Sequence, residues 1–312
     1  MPVLSFGKRP KAGANDHTIA RALDGFSIEV LPRTAAKIDD FRALLPQGTR
    51  VYIAHIEGTP IDDMIATARR LRDEGFTAMP HFPARIIADR AELQTWIARY
   101  RDEADVSEAL VLGGSPKTPL GQFHSSMQLL ETGDFQKAGY TRLHVAGHPE
   151  GNRDIDAEGG TSVVDAALRW KQEFAREAGV DMAIVTQFAF EGQGVIAWAR
   201  RLRAEGITLP IHLGVAGPAK LQTLIKFAIA CGVGPSLGVL QKRAKDVTKL
   251  MRPFEPVDLL ADVGAAQCDS GEPLFEQMHL FPLGGIVASA DLAARYDVTD
   301  HGAGDKKRSS GE

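Results

Sequence analysis

Cysteine is scarce in this chain: Cys231 and Cys268 are the only two in 312 residues. Their separation matches no metal-ligand spacing and no disulfide framework, so two buried, reduced thiols are expected, as in a cytoplasmic protein. Long apolar runs are missing as well. No stretch approaches the ~20 residues that a membrane helix needs, and the opening MPVLSFGKRPKAGAND lacks the apolar centre of a signal peptide. Charge of one sign is not in excess. A formal net charge of −4 leaves no footprint for nucleic acid or an acidic membrane surface. The arginines of the Arg69, Arg70 and Arg72 group stand among acidic neighbours, as on a solvated helix face. Also absent is a GxGxxG turn after the first strand, the mark of a dinucleotide-binding open sheet.

What the chain does have is alternation. Short apolar runs expected as strands are Gly25–Leu31, Arg50–Ile56, Thr77–Phe82, Glu108–Gly113, Arg142–Ala146, Met182–Phe188, Leu209–Val215 and Gln277–Pro282. Helical patterns fall between them, at Thr34–Leu45, Pro60–Asp73, Ala91–Arg101, His124–Glu131, Ser162–Ala178 and Val195–Ala204. Gly75, Gly179 and Gly206 stand just past three of these helices, where a left-handed residue ends a helix. Between the seventh and eighth strands come extra helices near Ala219–Ala230, Gly238–Leu250 and Pro256–Ala265, and Ile286–Arg295 closes the pattern. Such alternation predicts an α/β fold with a parallel sheet. A doubly wound sheet competes, but eight strands and the missing glycine fingerprint favour a (β/α)8 TIM barrel with extra helices before strand eight. One barrel domain over 1–300 and a flexible tail over 301–312 follow.

In such a barrel the chemistry sits at the C-terminal strand ends and the loops after them. Those positions hold Glu29, His55, His81, Gly113, Gly114, Ser115, His148, Asn152, Thr186 and Gln187. A Glu flanked by Ile28 and Val30 points either into the barrel or into the helix layer. Inward, it is desolvated and suited to act as a general acid near neutral pH; outward, it needs a partner such as Arg33. Gln187 carries a donor and an acceptor, apt for an amide or heterocycle edge, or it is a satisfied core residue. The histidines come from separate loops with no acidic cluster, so hydrogen bonding to a ligand is expected rather than metal ligation. Gly113 and Gly114 allow close backbone approach. His124 and Trp170 have no such positional support and are expected to be packing residues.

At these positions the chain resembles the methylenetetrahydrofolate reductase family. SIEVLPR stands where that family has a strand of the type SFEFFPP, aligning Glu29 with its catalytic acid. MPHF, with His81, matches its APHL, and AGHPEGNRDID matches its AGYPxGHPEA, so that His148 replaces a tyrosine and Asn152 a histidine. AGVDMAIVTQFAF matches AGAxxxITQFFF and aligns Gln187 with a residue that contacts folate and nicotinamide in turn. LGVAGP is similar to the family's PGxxP turn. The resemblance spans nearly the whole chain through degenerate motifs.

It implies an oxidoreductase that interconverts 5,10-methylenetetrahydrofolate and 5-methyltetrahydrofolate. NAD(P)H would be co-substrate, FAD the cofactor, and a tetrahydrofolate derivative the small-molecule substrate. Glu29 and Gln187 would be the catalytic pair, with Ser115 beside them at the substrate. His55, His81, Gly113, Gly114, His148, Asn152 and Thr186 would lie along the cofactor. Departures accompany it. Ser115 replaces an aspartate that sits by flavin and pterin in the family, Ala54-His55 replaces a Thr-Tyr pair, and Lys171 is the one basic candidate on the helix before strand six. A flavin-free or other tetrahydrofolate-dependent C1 enzyme, or a non-catalytic folate- or partner-binding barrel subunit, would carry the same pattern. Neither nucleic acid nor membrane is expected as a partner, and a homo-oligomer stays open.

Overall fold

The computed structural model describes residues 14–231, 238, 240 and 253–297. Eight parallel strands close into a barrel in sequence order. They are β1 (Ser27–Val30), β2 (Arg50–Ile53), β3 (Thr77–Pro83), β4 (Glu108–Leu112), β5 (Arg142–Gly147), β6 (Asp181–Thr186), β7 (Ile211–Ala216) and β8 (Gln277–Phe281). Closure is made by β1 on β8, with Ser27 beside His279 and Ile28 beside Leu280.

The helices run α1 (Ala14–Leu23), α2 (Pro32–Ala35), α3 (Ile61–Asp73), α4 (Arg90–Ala104), α5 (Ser126–Glu131), α6 (Asp134–Lys137), α7 (Ser162–Ala178), α8 (Gly192–Ala204), α9 (Leu221–Ala230), α10 (Val257–Ala265) and α11 (Ile286–Tyr296). The expected (β/α)8 TIM barrel is what the chain forms. Helices α9 and α10 both intervene before β8, and the helix expected over Gly238–Leu250 lies, apart from positions 238 and 240, outside the described residues, as does the 301–312 tail.

Strand residues alternate between two environments, and this sets up the site. Ile28, Val30, Val51, Ile53, Val111, Val145, Ile184 and Leu213 face the helices and belong to the main apolar core. Their neighbours point into the barrel, where Tyr52, Met79, Leu110 and Val185 form a separate buried cluster. The interior is polar toward its lower end. Arg50 of β2 reaches across to Glu108 of β4, at 2.7 Å, and to Gln277 of β8. Arg142 of β5 bonds Asp181 and Glu276, and His212 bonds Glu276 at 2.6 Å. These residues lie at or beside the starts of their strands, so paired charges line the N-terminal mouth.

Three expectations need correction. Thr34–Leu45 is not one helix: α2 stops at Ala35, and a separate 3-10 turn spans Phe41–Ala43. The Asp40 carboxylate accepts from the Arg42 amide and starts that turn, offering the backbone an alternative to continuing the helix. Arg70 takes up the carbonyls of Ala35, Ile38 and Asp39 that the break leaves open. The cysteines are free, but Cys231 is exposed and Cys268 half-buried rather than both buried. His124 is exposed, whereas Trp170 does pack, stacking on Phe174 against the core. Among the described residues no helix is long and apolar enough to cross a membrane.

Candidate functional site

Glu29 points into the barrel. Its neighbours Ile28 and Val30 are buried against the helices, and strand alternation sends the carboxyl the other way. Arg33, the partner an outward Glu would have needed, is exposed and lines a separate groove of about 670 Å³ between the β1–α2 and β2–α3 loops. Glu29 instead meets His81 from β3, with Nε2 3.3 Å from its Oε2, and the two side chains are 20% and 11% exposed. That contact is close without being aligned as a hydrogen bond, so Nε2 has no bonded partner among the described residues.

Burial acts on both groups in opposite senses. It pushes the Glu29 carboxyl up to about 8 and the His81 imidazole down to about 3. At neutral pH the pair therefore holds one proton, on Glu29, and is an acid beside a neutral base rather than an ion pair.

Gln187 follows the last residue of β6, so parallel topology brings it to the same end of the barrel as Glu29. It is half-buried, and its Oε1 accepts from the Phe188 amide, which leaves the amide NH₂ as its donor toward a ligand. Thr186 is differently engaged. Its hydroxyl accepts from the Gly214 amide at 2.9 Å and donates to the Gln187 carbonyl, so it braces β6 against β7. Gly214 is needed for that brace, since a Cβ there would lie 2.5 Å from the Thr186 carbonyl oxygen.

The β4 rim keeps its approach open. A Cβ on Gly113 would meet nothing within 4 Å, while Gly114 sits at φ +92° with Pro83 close by. Arg85 fixes this loop by donating to the Pro116 and His124 carbonyls, and Ser115 is exposed on it. On the β5 rim, Asn152 shapes the turn: its side chain accepts from the Asp154 amide, and its carbonyl from Ile155 and Asp156. Asp156 is buried and takes the amides of Val163 and Val164 and the Ser162 hydroxyl, so a carboxylate already fills the N-terminus of α7. No protein-family model matches the chain.

His148 and Lys171 form the other electrostatic feature of this rim. Burial brings the His148 ring down to about 4, with Lys171 adding to the effect and Asp156 opposing it. Lys171 of α7 is 6% exposed, and burial brings its amine down to about 8. No carboxylate among the described residues offsets that burial. His55 is turned away from Glu29. Its Nε2 donates to the Thr59 carbonyl, and its ring stacks on Trp96 at 4.7 Å, beside a pocket of about 240 Å³ that Ile61, Ile86 and Leu120 also line. Among the described residues, no cluster of His, Cys, Asp and Glu could hold a metal ion.

Sequence reading missed the polar floor beneath Glu29. Tyr52 bonds His144 Nδ1 at 2.5 Å, His144 Nε2 accepts from Arg142 Nε at 2.8 Å, and Ser27 Oγ lies 3.0 Å from His279 Nδ1. The signal was present as every second residue of Ser27-Ile-Glu29, Arg50-Val-Tyr52 and Arg142-Leu-His144. Taking the strands as continuous apolar runs concealed it.

Proposed function

We propose that this barrel is a folate-dependent one-carbon oxidoreductase of the cytoplasm. It would interconvert 5,10-methylenetetrahydrofolate and 5-methyltetrahydrofolate, with a nicotinamide as electron donor or acceptor and FAD between them. The observation that carries this reading is Glu29: an inward carboxyl at the catalytic end of the barrel, protonated at neutral pH because it is buried. Handing that proton to the methylene-bearing folate opens its five-membered ring to an electrophilic iminium, the form able to accept hydride. Glu29 can do this near pH 7, where an exposed carboxyl would already be ionised. His81 stays neutral beside it and leaves the proton on the acid. Gln187 supplies a donor for a pterin or carboxamide edge.

The fit of FAD rests on Lys171. A buried amine that forms no ion pair among the described residues suits an anionic group such as a pyrophosphate, with His148 beside it. FAD, when bound, supplies reversible hydride transfer; the protein's part is to bind, orient and exclude water. A second reading has specific support. Asp156 closes the α7 N-terminus to phosphate, and Ser115 brings no carboxylate to the β4 rim, as suits a flavin-free enzyme that passes hydride directly from nicotinamide to folate.

An absorbance spectrum of the purified protein, followed by anaerobic half-reactions, decides. A flavin spectrum, with a folate half-reaction that falls roughly 10²–10⁴-fold in Glu29→Gln while flavin reduction by nicotinamide persists, supports the first reading. A colourless protein that oxidises nicotinamide when given the folate supports the second. Colourless and inactive protein would refute both and leave a non-catalytic folate-binding barrel.

A further inference from the structure

Helix α9 lies across the upper end of the barrel. Its residues Leu221, Leu224 and Ala228 are buried and share one apolar cluster with Phe188 and Phe190, which follow β6. Phe281, the last residue of β8, packs against the same cluster, its ring 5.4 Å from that of Phe188. The three α9 positions recur three and four residues apart, so they form one face of the helix, turned down onto the strand ends.

Cys231 is the next position on that face, three residues after Ala228. Its amide donates to the Phe227 carbonyl, so the helical turn carries through to it. Yet Cys231 is exposed where the rest of the face is buried. A residue on the inward face of a helix is open only where nothing packs beneath it, so the end of α9 overhangs the opening beside the aromatic cluster. Glu29 identifies that opening. The surrounding protein raises the thiol to about 11, and Glu29 is the one charged group among the described residues that adds to the effect. The strand register agrees. Ile28 pairs with Leu280, which one step on sets Glu29 beside Phe281, under the α9 cluster.

The floor of the opening is unsatisfied. His81 is 8% exposed, its Nε2 has no bonded partner, and it stands 3.3 Å from a Glu29 carboxyl that receives no hydrogen bond among the described residues. Two bonding groups left open beneath a thiol are groups that a ligand would satisfy.

We propose that Cys231 is the upper wall of the Glu29 site, a neutral thiol at the rim that touches the ring of a ligand seated on Glu29 and His81. It gives a planar ring such as a pterin or nicotinamide a soft, nearly apolar contact. This deepens the folate reading and rests on it for the identity of the ring, whereas the placement of the thiol does not.

Alkylation of the full, ligand-free chain tests the placement, with Cys231 and Cys268 told apart by peptide mass mapping. At pH 9.5 iodoacetamide should label Cys231 roughly threefold faster in Glu29→Gln than in the wild type, because the carboxylate that disfavours the thiolate is gone. The rate at Cys268 should not change. The reverse effect is read in the wild type, which keeps the test alive if Glu29→Gln does not fold. Infrared titration follows the carboxyl stretch that persists to about pH 8. Protein blocked with iodoacetate, which leaves a negative charge at Cys231, should lose that stretch roughly half a pH unit higher than protein blocked with neutral iodoacetamide. An unchanged labelling rate in Glu29→Gln overturns the placement, and so do equal infrared midpoints. Saturating NADH or 5-methyltetrahydrofolate should then slow labelling of Cys231 roughly tenfold while sparing Cys268. Should either bind, as read by calorimetry, and leave the rate at Cys231 unchanged, the wall is overturned. Should the charge effects be found while neither binds, it is the functional reading that fails.

Discussion

Glu29 is paid for in stability. Its carboxyl titrates near 8 in the fold and near 4.5 when unfolded. Below about pH 4.5 both states hold the proton, and nothing is lost. As pH rises from there to 8 the unfolded chain ionises while the fold does not, so stability falls, by about 5 kcal/mol above pH 8. Glu29→Gln should therefore melt several degrees above the wild type at pH 8.5, and the gap should close below pH 5. Melting curves at the two pH values check this. Equal melting points at pH 8.5 would mean that the carboxyl reaches solvent in the ionised protein. A residue that weakens the fold where it is placed is what a site selected for chemistry should contain.

At the scale of elements, two glycines make a matched pair. Gly214→Ala pushes a methyl to within 2.5 Å of one backbone oxygen and 2.7 Å of another, at Thr186 and Gln187, where nothing flexible can yield. It should lower the melting point and displace Gln187 together. Gly113→Ala adds its methyl to open space and should melt as wild type does. A rise in the Michaelis constant for folate or nicotinamide in Gly113→Ala would mark the rim where ligand passes. A fall in stability there would contradict the open geometry.

The elements themselves were largely legible, because continuous apolar strands and Gly-terminated amphipathic helices leave a strong periodic signal: Ser162–Ala178 falls where its pattern placed it. Helix α1 was not foreseen, since its few apolar positions, Ile19, Ala20 and Leu23, stand among charged and polar residues. The break after Ala35 was hidden for a different reason. It depends on Arg70, which no local pattern reveals. The site was half legible: Glu29 and Gln187 could be named from strand-end position, whereas Lys171, named only through resemblance, depends on tertiary packing for its buried setting.

Across the whole molecule the notable population is its buried histidines. His81, His144, His148, His212 and His279 are all held neutral by burial. An unfolded histidine gains a proton as pH falls below about 6.5, and these in the fold do not. Stability is therefore intact above pH 6.5 and is lost as pH falls, with His148 and His81 still contributing down to about 4 and 3. Several such groups acting together outweigh the single opposing carboxyl. Denaturant midpoints should drop steeply between pH 6 and 4, and replacing His212 by Gln should soften that slope. A midpoint that stays flat across this range would show that the interior admits charge more easily than its packing suggests.

The paired charges at the lower mouth have a consequence for traffic. Arg50 with Glu108, and Arg142 with Glu276, cross the lower end of the barrel, and Gln187 stands at the other end with Glu29. On the reading proposed above, folate and nicotinamide would both come to Glu29 from that upper end. Sharing one place, the two would take turns, and each, in excess, would obstruct the other.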